Sequence, residues 1–300
     1  MSTSTPPTED LGFELRRKRR WPWVVGGVVV AAGIAAAIVL PSLNGAKSAN
    51  ETEGATLVVV TADGNASEQA LVQFVAEKVA PKYGIKVAYK GLADSTTLNR
   101  AVSEGEVAGT VYQHKLWLSQ VLDANPDFKE EAAVPVFRWG FGVFSDKYTS
   151  LDQLPDGAVV SLYSDPANEA QGLWLLERGG LITLKDGVNK WQATVDDIAT
   201  NPKHIQFKLL DFAAQSRALA DLDAAVGYTE YYLAAKIPIE KQIFAPAAPD
   251  EFAGQLTIGS RFASTENIKK LVAAFSDPAV QEWLATEPSV QHILLPLAAQ

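Results

Sequence analysis

The sequence predicts an α/β domain that follows one N-terminal transmembrane helix, and three observations support this fold class. Strand-like and helix-like segments alternate from Thr56 onward, an order that predicts a mostly parallel sheet with helices on both faces. An uncharged apolar run of membrane-spanning length precedes them. The chain has 300 residues, of which 47% are hydrophobic, so it can bury a large core.

The N-terminal region carries the signal for membrane topology. The basic cluster RRKRR (16–20) directly precedes the apolar run WPWVVGGVVVAAGIAAAIVL (21–40). The positive-inside rule therefore predicts a cytoplasmic basic tail at 1–21, a transmembrane helix at 22–40 and an extracytoplasmic remainder, which makes a single-pass protein of the cell membrane. Small residues at 44–46 leave a cleaved signal peptide as the alternative, but the apolar run is longer than the core of a usual signal peptide.

The first elements of the domain follow a linker, 41–55, whose small polar residues and glycines predict a flexible tether. TLVVVT (56–61) is a continuous β-branched apolar run, which is typical of a strand covered on both faces. The next apolar residues recur at helical spacing and stop at Gly84, a residue type that commonly ends helices. A strand (85–90), a short helix (95–105) and EVAGTVY (106–112) come next, so these segments predict βαβαβ order.

The second half of the chain continues the alternation. VPVFRWGFGVFS (134–145) is strand-forming sequence interrupted by two glycines. SDPANEAQ (164–171) has the pattern of a helix start, because a capping side chain at Ser164 or Asp165 precedes a proline at the first helical position. The remaining predicted strands are 158–163, 204–211, 224–229 and 254–261, and the remaining predicted helices are 213–221 and 264–277.

Composition argues against several classes of function. The net charge is −9 and there is no basic stripe outside the N-terminal cluster, which argues against a nucleic-acid partner. The absence of cysteine excludes disulfides, thiolate metal sites and a thiol nucleophile. Motifs for nucleotide phosphates, serine hydrolases and zinc proteases are missing, and the three histidines are far apart. We therefore expect no enzyme activity, no catalytic residues, no cofactor and no metal site.

Residues at the ends of predicted strands are the candidates for a ligand pocket. Asn168 begins a predicted helix directly after a strand, where free backbone amides attract anions, although an ordinary connection that caps its helix has the same sequence. Arg217 follows another strand and could clamp a carboxylate or simply lie in solvent. Aromatic residues near strand ends could wall an apolar pocket or pack in the core; they are Tyr112, Phe137, Trp139 and Tyr228.

A series of longer stretches occurs in a fixed order over nearly the whole domain. These stretches are KYGIKV (82–87), YQHK (112–115), FSDKYTSLDQLPDGAVV (144–160), SDPAN with LWLLERGGLITLKDGV (164–188), TVDDIATNPKHIQFKLLDFAAQSRAL (194–219) and AAVGYTEYYLAA (224–235). Through them the chain resembles the methionine-binding lipoproteins of ABC importers, the MetQ/NlpA type. The resemblance implies a two-lobed periplasmic-binding-protein-like (type II) domain, with the ligand between the lobes and no catalytic chemistry.

The resemblance also assigns positions of this chain to an amino-acid pocket. In the relatives, the aromatic and histidine of the YQHK segment, an aromatic on the following strand and an asparagine at a helix start line that pocket. The corresponding residues here are Tyr112, His114, Phe137 with Trp139 beside it, and Asn168. The predicted ligand-binding set also includes Arg217 and two positions that differ from the relatives. The full set is Tyr112, His114, Phe137, Trp139, Asn168, Gln171, Arg217 and Tyr228.

The two differing positions bear on the ligand. Gln171 stands where the relatives usually have an arginine that holds the ligand carboxylate, and Tyr228 stands in place of an asparagine. Loss of a charge-assisted hydrogen bond of about 1.5–3 kcal/mol weakens binding roughly tenfold to a hundredfold. Either Arg217 or a protonated His114 compensates for this loss, or the pocket, reduced in volume by Tyr228, holds a different ligand.

The resemblance implies that the protein is the solute-binding component of an ABC importer for methionine or a related amino-acid-like ligand, with a permease and its ATPase subunit as partners. The order of the elements predicts one lobe at about 56–138 and 229–300 and a second lobe at about 139–228, which close around the ligand. A membrane-anchored ligand sensor or adaptor on the same fold, with altered or lost ligand binding, is the alternative. A structural surface protein with an empty pocket is a third possibility.

Overall fold

The computed structural model describes residues 48–297. Its strands are β1 (Thr56–Ala62), β2 (Lys86–Leu92), β3 (Gly109–His114), β4 (Glu130–Trp139), β5 (Phe141–Phe144), β6 (Val159–Tyr163), β7 (Thr183–Leu184), β8 (Ile198–Thr200), β9 (Gln206–Leu210), β10 (Ala224–Tyr228), β11 (Gln242–Phe244), β12 (Ala253–Gly259) and β13 (Leu294–Leu295). Its α-helices are α1 (Ala66–Phe74), α2 (Ser95–Glu104), α3 (Lys115–Ala124), α4 (Pro166–Arg178), α5 (Phe212–Ala218), α6 (Thr229–Ala234), α7 (Glu266–Phe275) and α8 (Pro278–Thr286).

The strands form two separate main sheets, and this division gives the domain its two-lobed α/β architecture. The first sheet has the order β13-β4-β12-β3-β1-β2 and the second has the order β11-β5-β10-β6-β9. Strands β7 and β8 pair with each other as a small ribbon. Each main sheet has its own buried cluster: one includes Leu57, Val59, Phe137 and Phe275, and the other includes Val143, Leu162, Leu173 and Val226.

Both sheets are mixed, whereas sequence patterning predicts mostly parallel strands. Strand β1 is parallel to β2 and β3, but β12 is antiparallel to β3 and β4. In the second sheet, β6 is parallel to β9 and β10, but β5 is antiparallel to β10. The reason is connectivity, because β4 leads out of the first sheet and β12 leads back into it, so adjacent strands that link the lobes run in opposite directions.

Local sequence explains how the helices begin and end. The predicted helix that stops at Gly84 is α-helical only over α1; it continues as a π-helical turn (Val75–Val79) and a 3₁₀ turn (Ala80–Tyr83). Pro81 lacks the amide proton that an α-helix needs, and Gly84 ends the segment with a φ of 67°. Helix α4 begins as predicted, since Asp165 accepts a hydrogen bond from the Asn168 backbone and Pro166 occupies the first turn.

The chain crosses between the sheets at Gly140, where β4 ends and β5 begins. A side chain at this glycine would overlap the His292 carbonyl oxygen, so only glycine fits. The return crossing follows β11, which pairs with β5 in the second sheet although it lies in the segment 229–300 that the sequence assigns to the first lobe. Tyr232 in α6 also stacks on Phe144, with ring centroids 3.7 Å apart, and therefore keeps this segment against the second sheet.

The described part of the predicted linker, residues 48–55, is held against the domain. Ser48 donates a hydrogen bond to the Gly105 carbonyl (2.6 Å), and the buried Asn50 donates one to the Val107 carbonyl (3.2 Å). These contacts do not fit the flexible tether expected here. The predicted cytoplasmic tail and transmembrane helix lie outside the described residues, and no helix within 48–297 is long and apolar enough to cross a membrane.

Candidate functional site

A cleft of about 210 Å³ lies between the two sheets. Its walls come from the carboxyl ends of β1, β3, β4 and β10 and from the first turns of the neighbouring helices, which is where ligands bind in open α/β sheets. The lining residues are Ala62, Asn65, Glu68, Tyr112, Gln113, His114, Trp117, Trp139, Asn168, Phe212, Tyr228, Glu230 and Tyr231.

His114 lies at the junction of β3 and α3 and faces this cleft. Its Nδ1 accepts a hydrogen bond from the Trp117 backbone amide (3.1 Å), so it caps the helix that follows. The ring proton therefore resides on Nε2, which donates a long hydrogen bond to Asn168 Oδ1 (3.4 Å). Burial lowers the pKa of His114 to about 4, so the ring is neutral at physiological pH. A protonated His114 therefore does not replace the missing arginine.

Asn168 is the polar centre of the opposite wall. Its backbone amide and its Nδ2 both donate to Asp165 Oδ1, at 3.0 and 2.8 Å, which fixes the side-chain amide with Oδ1 toward the cleft. That oxygen accepts a hydrogen bond from the Tyr228 hydroxyl (2.6 Å) in addition to the contact with His114. Because Asp165 already occupies the free amide of the first helical turn, a ligand anion finds little left to bind there.

Gln171 lies behind the cleft wall and contacts Tyr228. The Tyr228 hydroxyl is 2.9 Å from Gln171 Oε1 and 2.6 Å from Asn168 Oδ1, and its single proton is shared between the two amides. Burial raises the pKa of Tyr228 well above its usual value, which keeps the hydroxyl protonated. Gln171, only 1% exposed, thus holds Tyr228 in place and does not line the cleft itself.

Three predicted aromatic residues occupy the floor of the cleft at different depths. Trp139 lines the cleft, and Phe137 lies beneath it, fully buried, with the two rings edge to face at 4.8 Å. Tyr112 lines the cleft beside Trp117, whose Nε1 donates to the Tyr112 hydroxyl (3.3 Å). Asn99 also donates to this hydroxyl at 2.5 Å, so the tyrosine ring is fixed from below.

Arg217 does not belong to the site. Its helix, α5, presents Phe212 to the cleft, and Arg217 follows five residues later, about 140° further around the helix. The arginine side chain is exposed and is absent from the cleft lining. The structure therefore does not bring Arg217 to the cleft, and its exposed position agrees with the alternative that it lies in solvent.

Two carboxylates that sequence reasoning did not select line the cleft. Glu68 in α1 is 2% exposed, and burial together with the nearby Glu230 raises its pKa well above the usual value. Burial also raises the pKa of Glu230 in α6, which accepts hydrogen bonds from Ser67 Oγ (3.1 Å) and Asn65 Nδ2 (3.4 Å). One sequence signal could have identified them as cleft residues. Like Asn168, each lies in the first turn of a helix that follows a strand.

Comparisons with known proteins give the family of the chain. The family model described as NlpA lipoprotein matches residues 57–296. The D-methionine-binding lipoprotein MetQ of Escherichia coli is 33% identical over 220 residues, which cover 72% of this chain and 80% of that protein. The methionine-binding lipoprotein MetQ of Bacillus subtilis is 35% identical over 185 residues, which cover 62% of this chain and 62% of that protein.

Solved structures share the fold. A nutrient binding protein from Burkholderia cenocepacia bound to methionine has a TM-score of 0.67 at 30% identity and covers 80% of this chain and 98% of its own. A methionine-binding lipoprotein structure from Bacillus subtilis has a TM-score of 0.71 at 27% identity and covers 81% of this chain and 98% of its own. Because the family model spans nearly all of the described residues, the chain belongs to the NlpA lipoprotein family, and the resemblance identified in its sequence is confirmed.

Proposed function

We propose that this protein is the extracytoplasmic solute-binding component of an ABC importer and delivers methionine or a related amino-acid-like ligand to a permease and its ATPase subunit. The observation that carries this proposal is the aromatic-lined cleft between two α/β lobes in a member of a family with methionine-binding relatives. Mostly apolar walls with a few fixed polar groups are typical of small-molecule binding sites.

The polar groups of the cleft favour binding over catalysis. Both nitrogens of His114 are engaged, one with the Trp117 backbone and one with the Asn168 amide. A histidine held in this way orients a hydrogen bond and has no free nitrogen to act as a general base. Within residues 48–297, no group of acidic and histidine side chains is placed to hold a metal ion.

Contacts across the cleft support a mechanism in which the lobes close around the ligand. His114 from the first lobe reaches Asn168 from the second, and Asn65 from the first lobe reaches Glu230 from the second. The aromatic rings of Trp139 and Tyr228 also meet across the cleft, with centroids 5.8 Å apart. A ligand that contacts both walls would stabilise this closed arrangement over an open one.

The proposal includes a single-pass membrane anchor at 22–40 with the N-terminus in the cytoplasm. The chain has no cysteine to carry a lipid, and RRKRR followed by an apolar run provides a different tether. Tethering raises the local concentration of the binding domain at its permease. Immunoblotting of membrane and soluble fractions should find the full-length chain in the membrane; a mature soluble form that begins near residue 47 would contradict the anchor.

A ligand sensor or adaptor on the same fold is the second candidate function. It is favoured by one observation, which is that no lysine or arginine is among the described residues that line the cleft. A cleft without a basic residue is compatible with a protein that detects a ligand and does not transport it. Loss of uptake of methionine or the related ligand after deletion of the gene would support the importer. Unchanged uptake of that ligand together with altered signalling would support the sensor.

Ligand binding is expected to raise the thermal stability of the full-length protein in detergent. A ligand that binds only the folded state stabilises it by about 2.7 kcal/mol at one hundred times its Kd. Unfolding followed by tryptophan fluorescence should therefore shift to higher temperature with L-methionine, D-methionine or a chemically related amine or amino acid. A flat response to the whole panel would reject the proposed function.

A further inference from the structure

We propose that the cleft selects a small organic cation, in which a protonated amine is attached to an apolar group and no free carboxylate is present, and that Glu68 and Glu230 are its specificity-determining partners. This inference rests on the proposed function, since it takes the cleft between the lobes as the ligand site, and it makes an amine without the carboxylate of methionine the preferred ligand.

Glu68 offers an unused hydrogen-bond acceptor in the wall of the cleft. Its Oε1 accepts a hydrogen bond from Trp139 Nε1 (3.3 Å), which fixes the carboxyl group. Its Oε2 is buried and has no hydrogen-bond partner among the described residues. A buried carboxylate oxygen without a partner is unfavourable, and an ammonium N–H from a ligand in the cleft would satisfy it.

Glu230 adds a second negative group to the same cleft. Its carboxylate is bonded to Ser67 and Asn65, which are neutral, and neither Glu68 nor Glu230 forms an ion pair with a basic residue within 48–297. Burial and repulsion from Glu230 raise the pKa of Glu68, and burial raises the pKa of Glu230, so the surroundings of both carboxyl groups disfavour their ionisation. A ligand cation between them would reverse this effect by favouring the charged forms.

The same walls provide no cation for a ligand carboxylate. The described lining contains no lysine or arginine, His114 is neutral, and the exposed Arg217 lies outside the cleft. The first turn of α4, which would otherwise attract an anion, is already capped by Asp165. A carboxylate placed here would lose its hydration beside two acidic side chains, which is strongly unfavourable without a compensating cation.

The aromatic walls fit a cation with an apolar body. Six aromatic side chains line the cleft: Tyr112, Trp117, Trp139, Phe212, Tyr228 and Tyr231. The faces of such rings attract cations, and the attraction is strongest where water is excluded. The two carboxylates would bind the protonated amine of a ligand, and the aromatic rings would surround its apolar part. This combination fits an alkyl or thioether amine.

Three forms of one ligand test the inference. Full-length protein in detergent is titrated by calorimetry at neutral pH with L-methionine, with methylthiopropylamine, which keeps the amine and lacks the carboxylate, and with methylthiobutanoate, which keeps the carboxylate and lacks the amine. We expect the amine to bind at least tenfold more tightly than methionine and the acid not to bind. If methionine binds as tightly as the amine, this inference fails and the proposed function stands; if neither the amine nor methionine nor any other amino acid binds, both fail.

Charge removal at the carboxylates gives the residue-level test. Glu230→Gln keeps the shape of a half-buried side chain, so the variant should fold, and we expect it to weaken amine binding at least tenfold while methionine binding stays the same or improves. Glu68→Gln should act in the same direction. Glu169→Gln is the matched control, because Glu169 is also buried and acidic but bonds to the Val195 amide outside the cleft lining. Equal weakening of methionine and amine binding by Glu230→Gln would overturn the inference.

Discussion

Replacing Asn168 with alanine is expected to reduce ligand affinity by about tenfold to a hundredfold and to lower the free energy of unfolding by about 2–4 kcal/mol. Asn168 Oδ1 accepts hydrogen bonds from the Tyr228 hydroxyl and from His114, and its Nδ2 donates to Asp165. Alanine removes all three contacts and leaves buried polar groups on both lobes without this partner. Each buried group left unsatisfied costs about 1–3 kcal/mol, and the Tyr228 hydroxyl still reaches Gln171, which limits the loss.

Two measurements separate the effects of the Asn168 variant on stability and on binding. Urea unfolding followed by tryptophan fluorescence gives the free energy, and calorimetry gives the affinity at a temperature where the variant is folded. Asn50→Ala is the matched control, because Asn50 is equally buried but bonds to the Val107 carbonyl and lies outside the cleft lining. Asn50→Ala should therefore lose stability and keep its affinity. Unchanged affinity in the Asn168 variant would show that this amide does not contact the ligand.

Order and type of the main elements could be predicted from sequence because their signals are local. A continuous apolar run produced β1, and a capping aspartate followed by Pro166 produced the start of α4. The position of β12 between β3 and β4 could not be predicted, because it depends on where the chain re-enters the first sheet after more than one hundred residues in and around the second. The pairing of β11 with β5 is long-range in the same way.

Placement of the predicted site residues depended on depth and helical phase, which the sequence does not contain. Tyr112, His114, Trp139, Asn168 and Tyr228 all line the cleft, since each lies at a strand end or in the first turn of a helix. Phe137 and Trp139 are two residues apart in β4 and share one face of it, but Trp139 covers Phe137. Gln171 lies one turn further along α4 than Asn168, and it therefore contacts Tyr228 from behind the wall.

The carboxylates of the cleft show why charge at a site is difficult to infer from sequence alone. Glu68 and Glu230 are 162 positions apart in the numbering, and they influence each other only because α1 and α6 meet across the cleft. The family resemblance drew attention to the arginine that is missing at Gln171. The structure adds Glu68 and Glu230 to the cleft lining, which contains no lysine or arginine among the described residues.

At pH 8, Glu130→Gln is expected to raise the free energy of unfolding by about 2–4 kcal/mol. Glu130 begins β4, is 6% exposed, and has no hydrogen-bond partner for either carboxyl oxygen among the described residues. Burial raises its pKa to about 8, against about 4.3 for an unperturbed glutamate. The folded state therefore binds this proton more tightly than the unfolded state, and the stability it contributes is complete below about pH 4 and is lost as the pH rises toward 8.

Glutamine keeps the shape of the side chain and cannot ionise, so the variant escapes this loss. The expected gain is smaller than the full pKa difference implies, at about 1.4 kcal/mol per pKa unit, because water and local rearrangement relieve an ionised carboxylate. Urea unfolding should show the gain at pH 8 and almost none near pH 4. The adjacent Glu131 is exposed, and Glu131→Gln should change stability by similar small amounts at both pH values. A gain in Glu130→Gln that is equal at the two pH values would mean that packing, and not ionisation, distinguishes the two side chains.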